Sequence, residues 1–562
     1  MHLSLATIGV LTLSQGIFGD VPPPAIPSGM DLLYGTRIGI HQNQEPIVPV
    51  GIMDGQHELV FSSDSPIQLD YYEKGVLKTT QISANLKVAI KTARVQPARR
   101  THYVDLEGAE WGDPATLQAT LEKWKTRGLN SVQALEEGTL FGLAGTVIDN
   151  RGYRIVMPVK TIQAANKVIN KLFAKWSHRA QVRSRITERP WGELKLIVDG
   201  FQIAKATSYI RITPQSTDAP TTLHQVEFGK GYKWAGREDR KYRGTLYAVI
   251  DPNGKLAAVN AVSVETILAG VVPSELFASA HPEALKAQAV AARTILFAQL
   301  GKRHYADPFH LCSSQHCQVY GGSSHEDPRA TSAVEATMGE LLFHNNHLIN
   351  ATYSSTCGGF TEHNDAVWRN LPSKALRGRP DFPLEQASLT RFEKGITSEN
   401  IRDWLEVMPD SYCKKAPQAQ KNKLRWKREF AQAELNELVG KRYPKLGDLT
   451  QMTVLTRGIS GRAMSLKLTG TNGSATVLYE LPIRRLFGNL RSAAFVIQME
   501  RHGKLISKAT FKGSGWGHGV GMCQLGAIGR AEANHPYKTI LKHYYNGAKL
   551  RRLYRPEKTT SN

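Results

Sequence analysis

The chain has 562 residues, with 41% hydrophobic and 21% charged residues and a formal net charge of +22. Its length is too great for one hydrophobic core and predicts two to four domains. No apolar run approaches the roughly 20 residues of a membrane-spanning helix, which excludes a transmembrane span. The five cysteines are an odd number, which excludes a complete disulfide framework.

The positive charge predicts an anionic partner: nucleic acid, acidic lipid or the carboxylate-bearing polymers of a cell wall. The basic residues are scattered along the chain, and no segment resembles a nucleic-acid-binding module. A nucleic-acid partner is therefore not predicted.

The first thirty residues hold a mildly apolar segment, Leu3–Leu13, followed by a proline-rich leader. No Lys or Arg precedes the apolar segment, so it fits a signal peptide poorly. A degenerate export signal and a buried N-terminal strand both stay open. Residues 31–101 follow as short alternating segments, beginning at Thr36–Ile40, and predict a small β-rich module that serves as scaffold.

Residues 102–197 predict the order β-α-β-β-α-β. Asp113-Pro114 opens the first helix, and Thr161 the second. This order is similar to the SPOR domain, which binds glycan strands stripped of their stem peptides. An unspecialised ferredoxin-like domain fits the same order.

Residues 198–556 form a third region, in which a predicted hairpin leads into a helix that starts at Pro282 and ends before Gly301. Pro282 suits the first helical position, and Glu283 places an acid where the helix dipole favours it. Within this region, residues 371–447 are basic and predict helices, as in Lys421–Phe430.

Glu275 stands between Val271-Val272-Pro273 and Leu276-Phe277. Apolar surroundings raise the pKa of a carboxyl group because desolvation disfavours its charged form. An acid still protonated near neutral pH can cleave a glycosidic bond as a general acid. A helix cap or a surface ion pair is the alternative role.

The sequence around Glu275 closely resembles the SpoIID/LytB family of bacterial cell-wall proteins. Four blocks occur in the family's order: 270–275 with 283–294, 317–322, 351–362, and 515–527. The resemblance implies an α+β, multi-domain chain. A SpoIID-like mixed catalytic domain would follow the β-rich module and the SPOR-like domain.

The resemblance implies a lytic transglycosylase that cleaves MurNAc–GlcNAc bonds of peptide-stripped glycan strands to anhydro-MurNAc ends, with Glu275 as the catalytic acid. Further substrate contacts are expected within the matching blocks: Arg293, Gln318, Tyr320, Ser354, Ser355, Trp516, His518 and Gln524. Gln318 and Tyr320 alternate and so share one strand face, where a ring can stack on a sugar; a half-buried tyrosine is the alternative. Trp516 offers a second stacking ring, and His518 could hydrogen-bond substrate or orient Glu275.

The segment His304–Gly322 is rich in metal ligands. Cys312, His316 and Cys317 lie within six residues, and His304 or His310 can supply a fourth ligand; two thiolates and two imidazoles make a tetrahedral zinc set. Some family members bind zinc through this segment, so structural zinc is predicted, with His310 as the fourth ligand. A Cys312–Cys317 disulfide is the alternative.

A rival function comes from the LytB branch of the resemblance: a non-catalytic wall-binding enhancer of an N-acetylmuramoyl-L-alanine amidase. The predicted partners are glycan strands and, for the rival, another wall hydrolase such as an amidase. Because family members act outside the cytoplasmic membrane, an extracytoplasmic location is expected. The intact Glu275 and its apolar setting favour the enzyme.

Overall fold

The computed structural model describes residues 29–555 except 36–38, 41–44, 110–111, 177, 179, 217, 231–233, 369–370 and 384–386. The predicted export signal and leader, up to residue 28, and the strand onset at 36–38 lie outside the described residues. Helices and strands occur together throughout the described chain, which confirms the α+β class.

The N-terminal part is a short helix followed by strands. Its elements are α1 (Gly29–Tyr34), β1 (Gly39–Ile40), β2 (Pro46–Gln56), β3 (Glu58–Ser63), β4 (Ile67–Glu73), β5 (Val76–Ile82) and β6 (Val88–Gln96). Buried residues alternate along β3, whereas the first eight residues of β2 are all buried.

The chain then leaves this sheet to form a four-stranded antiparallel sheet with two main helices. Its elements are β7 (Arg99–Ala109), α2 (Pro114–Thr126), β8 (Gln133–Glu137), β9 (Leu140–Leu143), β10 (Thr146–Asp149), β11 (Gly152–Val159), α3 (Ile162–Trp176) and β12 (Gln181–Glu188). The sheet order is β12-β7-β11-β8, with β9 and β10 as a separate hairpin. This connectivity is that of a ferredoxin-like βαββαβ unit.

Six further strands return to the first sheet: β13 (Trp191–Val198), β14 (Phe201–Pro214), β15 (Thr221–Phe228), β16 (Gly236–Tyr242), β17 (Thr245–Ile250) and β18 (Leu256–Ser263). The order is β1-β2-β18-β17-β14-β13-β6-β3-β15-β16. Strands of the predicted module at residues 31–101 therefore do not form a sheet of their own. Long-range pairing, such as β2 with β18, builds one sheet from both sides of the inserted unit.

The sheet delivers the chain into two buried helices. Ser263 caps the first by accepting from Thr266 N. The elements are α4 (Val264–Glu275), α5 (Pro282–Gln299), β19 (Leu311–Cys312), α6 (Pro328–Ala336), β20 (Glu340–His344), β21 (His347–Leu348) and β22 (Tyr353–Ser354), with a 3-10 helix at Ser323–His325. Helix α5 is buried on nearly all sides because its alanines allow close packing.

A second lobe follows: α7 (Asn364–Val367), α8 (Ile401–Val407), α9 (Tyr412–Lys415), α10 (Lys421–Leu424), β23 (Arg425–Ala431), α11 (Gln432–Gly440), β24 (Leu449–Arg457), β25 (Ala463–Gly470), β26 (Gly473–Leu478), α12 (Glu480–Leu486), β27 (Phe495–His502) and β28 (Leu505–Ser514). A 3-10 helix spans Ala387–Phe392. The prediction of a helix over Lys421–Phe430 is wrong beyond Leu424. Trp426 and Phe430 both enter the lobe's core from β23, which pairs with β28.

The chain ends with β29 (Met522–Cys523), α13 (Gln524–Glu532), α14 (Tyr537–Tyr544) and β30 (Lys549–Arg552). Strand β29 pairs in parallel with β22, which brings the glycine-rich segment beside the α4–α5 core. Within the described part of the chain, none of the helices has the length and apolar character needed to cross a bilayer.

Candidate functional site

Glu275 is the last residue of α4 and is half-buried. Its carboxylate Oε1 accepts a hydrogen bond from Val319 N at 2.7 Å. Burial raises the pKa of Glu275 from 4.5 to about 7, although the bond from Val319 lowers it somewhat. The carboxyl group is thus half-protonated near neutral pH and can both donate and accept a proton.

Gln524, the first residue of α13, fixes the backbone of Glu275. Its amide Nε2 donates to the Glu275 carbonyl at 2.8 Å and lies 3.4 Å from Gln288 Oε1. Gln288 is fully buried on α5. The predicted residue Gln524 therefore reaches the site, but it holds the backbone that carries the acid.

Tyr353 borders Glu275 and was not predicted. Burial and then the neighbouring Glu275 carboxylate raise the pKa of the Tyr353 hydroxyl. That hydroxyl donates to Gln318 Oε1 at 2.8 Å, and Gln318 Nε2 donates to Ala292 O. Gln318 is thus close to the site but buried and bonded, as a support for Tyr353.

The glycine-rich loop between β28 and β29 packs against β22 and the segment after it. Trp516 and Thr356 exchange backbone hydrogen bonds, and Gly519 N donates to Ser354 Oγ at 3.2 Å. Ser354 is buried, so its hydroxyl holds the loop. Ser355 is half-buried, and its carbonyl accepts from Leu525 N.

His518 is neutral, because burial and the charges of Arg462 and Arg484 lower its pKa to about 3. Its Nδ1 accepts from Val520 N at 3.0 Å, and the ring also hydrogen-bonds the Tyr353 backbone. Its ring packs 4.7 Å from that of Trp368. His518 therefore positions the strand that carries Tyr353; its described bonds do not include one to Glu275.

Trp516 is 38% exposed and lies among cations. Lys423 Nζ is 5.3 Å from the Trp516 ring centroid and 5.7 Å from that of Phe277, two residues after Glu275. The two rings are therefore at most 11 Å apart. Arg491 stacks on Trp516 at 5.0 Å. An exposed indole with cations at its face suits an anionic sugar.

A cavity of about 430 Å³ adjoins Trp516, and we call it the basic groove. Its lining is rich in arginine and lysine: Asn422, Arg425, Trp426, Lys427, Arg428, Asn489, Leu490, Arg491 and Trp516. These residues come from α10, β23 and two distant loops. The sequence showed that basic residues are frequent here but not which of them face Trp516. Lys423 and Arg491 were therefore not among the predicted substrate contacts.

Two predicted substrate contacts lie elsewhere. Tyr320 is 2% exposed, and its hydroxyl donates to Asn260 Oδ1 at 2.8 Å, so its ring cannot stack on a sugar. It packs on Gly270 of α4, where an added Cβ would meet the Tyr320 ring at 2.8 Å. Arg293 is fully buried and pairs with Glu265 at 2.7 Å. Both residues support α4 from inside the core.

The predicted metal-binding segment brings four ligands together: His304, Cys312, His316 and Cys317, whose ligand atoms all lie within 4.8 Å of one another. His310, the predicted fourth ligand, is half-buried and is not one of these four residues; His304 takes its place. Cys312 and Cys317 are free thiols, so the alternative disulfide is not formed.

The distances within this group fit one tetrahedral ion. His316 Nδ1 lies 3.3 Å from His304 Nε2 and 3.7 Å from each sulfur. In a tetrahedral site, Zn–N bonds of about 2.0 Å and Zn–S bonds of about 2.3 Å require an N–N separation of roughly 3.3 Å and an N–S separation of roughly 3.5 Å. Asp307 Oδ2 bonds His304 Nδ1 at 2.8 Å and so leaves Nε2 for a metal. The group can hold a metal ion.

Two family models match the chain. Residues 252–344 match SpoIID, described as stage II sporulation protein, and residues 362–521 match a domain of unknown function, DUF8618. The chain therefore contains a SpoIID domain at residues 252–344, which confirms the predicted resemblance. The SpoIID match contains Glu275 and the four candidate metal ligands, whereas the second match contains all the residues that line the basic groove and the glycine-rich loop.

Curated relatives agree with this match. The chain is 31% identical over 296 residues to the amidase enhancer of Bacillus subtilis (strain 168), covering 50% of this chain and 40% of that protein. It is 29% identical over 307 residues to stage II sporulation protein D of the same organism, covering 52% and 76%. An uncharacterized protein of Brachyspira hyodysenteriae is 28% identical over 310 residues, covering 55% and 72%. The chain thus spans less than half the length of the amidase enhancer and about three quarters of the other two.

Proposed function

We propose that this chain is a lytic transglycosylase that cleaves MurNAc–GlcNAc bonds in peptide-stripped glycan strands. The observation that carries the proposal is the Glu275 carboxyl group. Its pKa is raised to about 7, and it stands at the end of a buried helix, two residues before Phe277, whose ring lies near Lys423 as the Trp516 ring does. This is the protonation state that a general acid needs at neutral pH.

In the proposed reaction, protonated Glu275 donates its proton to the glycosidic oxygen as the bond to the muramic anomeric carbon breaks. The resulting carboxylate accepts the proton of the muramic C6 hydroxyl, whose oxygen then bonds to the anomeric carbon. The products are an anhydro-muramic end and a free GlcNAc hydroxyl. One carboxyl group suffices because the substrate supplies its own nucleophile and no water is activated.

The basic groove supports a peptide-free substrate. Removal of the stem peptide leaves the muramic lactyl group as a carboxylate on each disaccharide. Lys423 and Arg491 lie at the face of Trp516, where they can bind this carboxylate while the indole stacks on the sugar. The neighbouring cations of β23 extend the same charge along the groove.

The test compares wild type with Glu275→Gln on purified peptide-free glycan strands, with anhydro-muramic ends scored by mass spectrometry. Removing a general acid lowers the rate on the order of 10²- to 10⁴-fold. Glu335→Gln, at an exposed acid of α6, is the matched control and should cleave as wild type does. Equal release of anhydro ends by Glu275→Gln and wild type would overturn the enzymatic proposal.

We further propose that the ion held by His304, Cys312, His316 and Cys317 is zinc, in a structural role. Four protein ligands close the coordination sphere, which is typical of structural rather than catalytic sites. The bound ion would hold the loop that leads to Val319, whose N–H contacts Glu275. An extracytoplasmic location is part of the same proposal, because glycan strands lie outside the cytoplasmic membrane.

A second candidate function is non-catalytic enhancement of an amidase, favoured by the similarity to the Bacillus subtilis amidase enhancer. It predicts saturable binding to wall sacculi, no new glycan ends, and stimulation of a partner amidase. Glu275→Gln separates the two functions. An enhancer keeps its stimulation with this substitution, whereas a transglycosylase loses its products.

A further inference from the structure

Three cysteines and one aspartate meet in the core of the fold, well outside the histidine-containing group. Cys357, Asp381, Cys413 and Cys523 are at most 2% exposed, and their ligand atoms all lie within 4.8 Å of one another. They come from four separate segments: the loop after β22, the loop before Ala387, helix α9 and strand β29. All three cysteines are free thiols.

The spacing suits a single ion. Tetrahedral Zn–S bonds of about 2.3 Å place sulfurs roughly 3.8 Å apart and a carboxylate oxygen roughly 3.6 Å from a sulfur. Cys357 Sγ lies 3.3 Å from Asp381 Oδ2. Sulfurs held this close leave room for one ion and not for an iron–sulfur cluster, whose several metal atoms push the cysteine sulfurs further apart.

Backbone amides point at the sulfurs. Cys523 Sγ accepts from Cys357 N at 3.1 Å and from Gly526 N at 3.2 Å. Cys357 Sγ accepts from Gly359 N at 3.4 Å. Such N–H donors stabilise thiolates, the form in which cysteine binds metals, and thiols buried for packing alone do not need them.

The carboxylate is arranged as a metal ligand would be. Asp381 Oδ1 accepts from Arg530 Nη2 at 3.0 Å and from Tyr544 Oη at 2.9 Å. These bonds fix the carboxylate and leave Oδ2 facing the sulfurs. Arg530 also offsets part of the negative charge that three thiolates and a carboxylate bring to a divalent ion. A second cation, Arg425, donates to Gly358 O beside Cys357.

We propose that Cys357, Asp381, Cys413 and Cys523 form a second, structural site for a thiophilic divalent cation such as Zn²⁺. The ion ties the second lobe to the α13 end of the core. Gln524, directly after Cys523, holds the Glu275 carbonyl, so the ion also fixes the backbone of the candidate acid. The site is independent of the proposed reaction, because none of its ligands takes part in proton transfer.

The test measures the metal content of the purified full chain by native mass spectrometry and elemental analysis. Wild type should hold two Zn²⁺ ions per chain. Cys312→Ser/Cys317→Ser, which removes the histidine-containing site, should hold one, and Cys413→Ser should also hold one. After exchange with Co²⁺, the Cys312→Ser/Cys317→Ser chain keeps three thiolate ligands and the Cys413→Ser chain keeps two. The intensities of their thiolate charge-transfer absorption should therefore have a ratio near three to two.

A Cys312→Ser/Cys317→Ser chain that holds no metal would overturn the proposal. So would a wild-type mass lower by two hydrogen atoms that maps to a disulfide between two of the buried cysteines. If Cys413→Ser does not fold, thiol labelling of the Cys312→Ser/Cys317→Ser chain decides. Its three cysteines should resist labelling until a chelator is added, and labelling that is unaffected by chelator contradicts the site. None of these readouts depends on glycan cleavage.

Discussion

Two glutamates of α4 lie only ten residues apart and have different surroundings. Glu265 receives Arg293 Nη2 at 2.7 Å and the Tyr554 hydroxyl at 2.6 Å, so its charge is fully compensated. Glu275 receives one backbone N–H, from Val319, and its pKa rises because burial outweighs that single bond. The difference in partners makes Glu265 a structural acid and Glu275 a candidate for chemistry.

The raised pKa of Glu275 predicts a pH dependence of stability. The folded state holds this proton up to about pH 7, whereas the unfolded chain releases it near 4.5. The bound proton therefore contributes up to roughly 3 kcal/mol to the free energy of unfolding. This contribution is fully present below about pH 4.5 and is lost as the pH rises to about 7. In urea unfolding across this range, Glu275→Gln should remove this part of the slope and Glu335→Gln should keep it. A slope identical in all three proteins would contradict the buried carboxyl group.

At the scale of elements, the site depends on a loop that only glycine can form. Gly519 has φ +76°, and a Cβ there would stand 2.4 Å from Arg462 Cζ. Arg462 is itself 1% exposed and bonded to Ser460, so it cannot move into solvent. The loop therefore lies so close to Arg462 that position 519 has no room for a side chain.

Gly519→Ala should destabilise the chain by about 2–5 kcal/mol, the sum of left-handed strain and overpacking. Gly503→Ala is the matched control, because Gly503 has φ +59° with no atom within 4 Å of an added Cβ. It should cost only the strain, about 1–2 kcal/mol. Thermal or urea unfolding measures both. Equal losses would show that Arg462 does not crowd the loop.

At the scale of the whole molecule, the net charge of +22 is spread along the sequence. The folded structure brings two of these cations to the Trp516 ring from distant segments. Lys423, Arg491 and Trp516 lie far apart in sequence, yet both cations face the indole. We expect long-range attraction to anionic strands from the total charge, and specific binding from this group.

Lys423→Gln/Arg491→Gln should weaken the binding of peptide-free glycan strands about ten-fold or more at low salt and flatten its salt dependence. The physical reason is loss of two charges that act at contact distance, where screening is least. Lys78→Gln, on exposed β5, is the control and should bind as wild type does. Sedimentation with amidase-treated, peptide-free sacculi at several salt concentrations measures this binding. An equal loss in the control would assign the effect to net charge alone.

Local patterns in the sequence were sufficient for several elements. Helix α5 begins at Pro282 as predicted, because its N-terminal signals are local. The apolar neighbours of Glu275 predicted an acid with a raised pKa, and the βαββαβ order of the inserted unit was readable from periodicity and turns. The family resemblance rests on contiguous blocks and is confirmed.

Tertiary packing alone decided which side chains from distant segments contact one another. The strand predicted at Gln318 and Tyr320 is not formed, and Tyr320 lies inside the core because its ring packs on α4 at Gly270. Arg293 is buried because Glu265 lies opposite. His304 takes the place predicted for His310 because the loop turns back at His304, where φ is +51°. The group of Cys357, Asp381, Cys413 and Cys523 spans 166 residues. Periodicity reports only which side of an element is buried; which distant side chains meet there depends on how the elements pack.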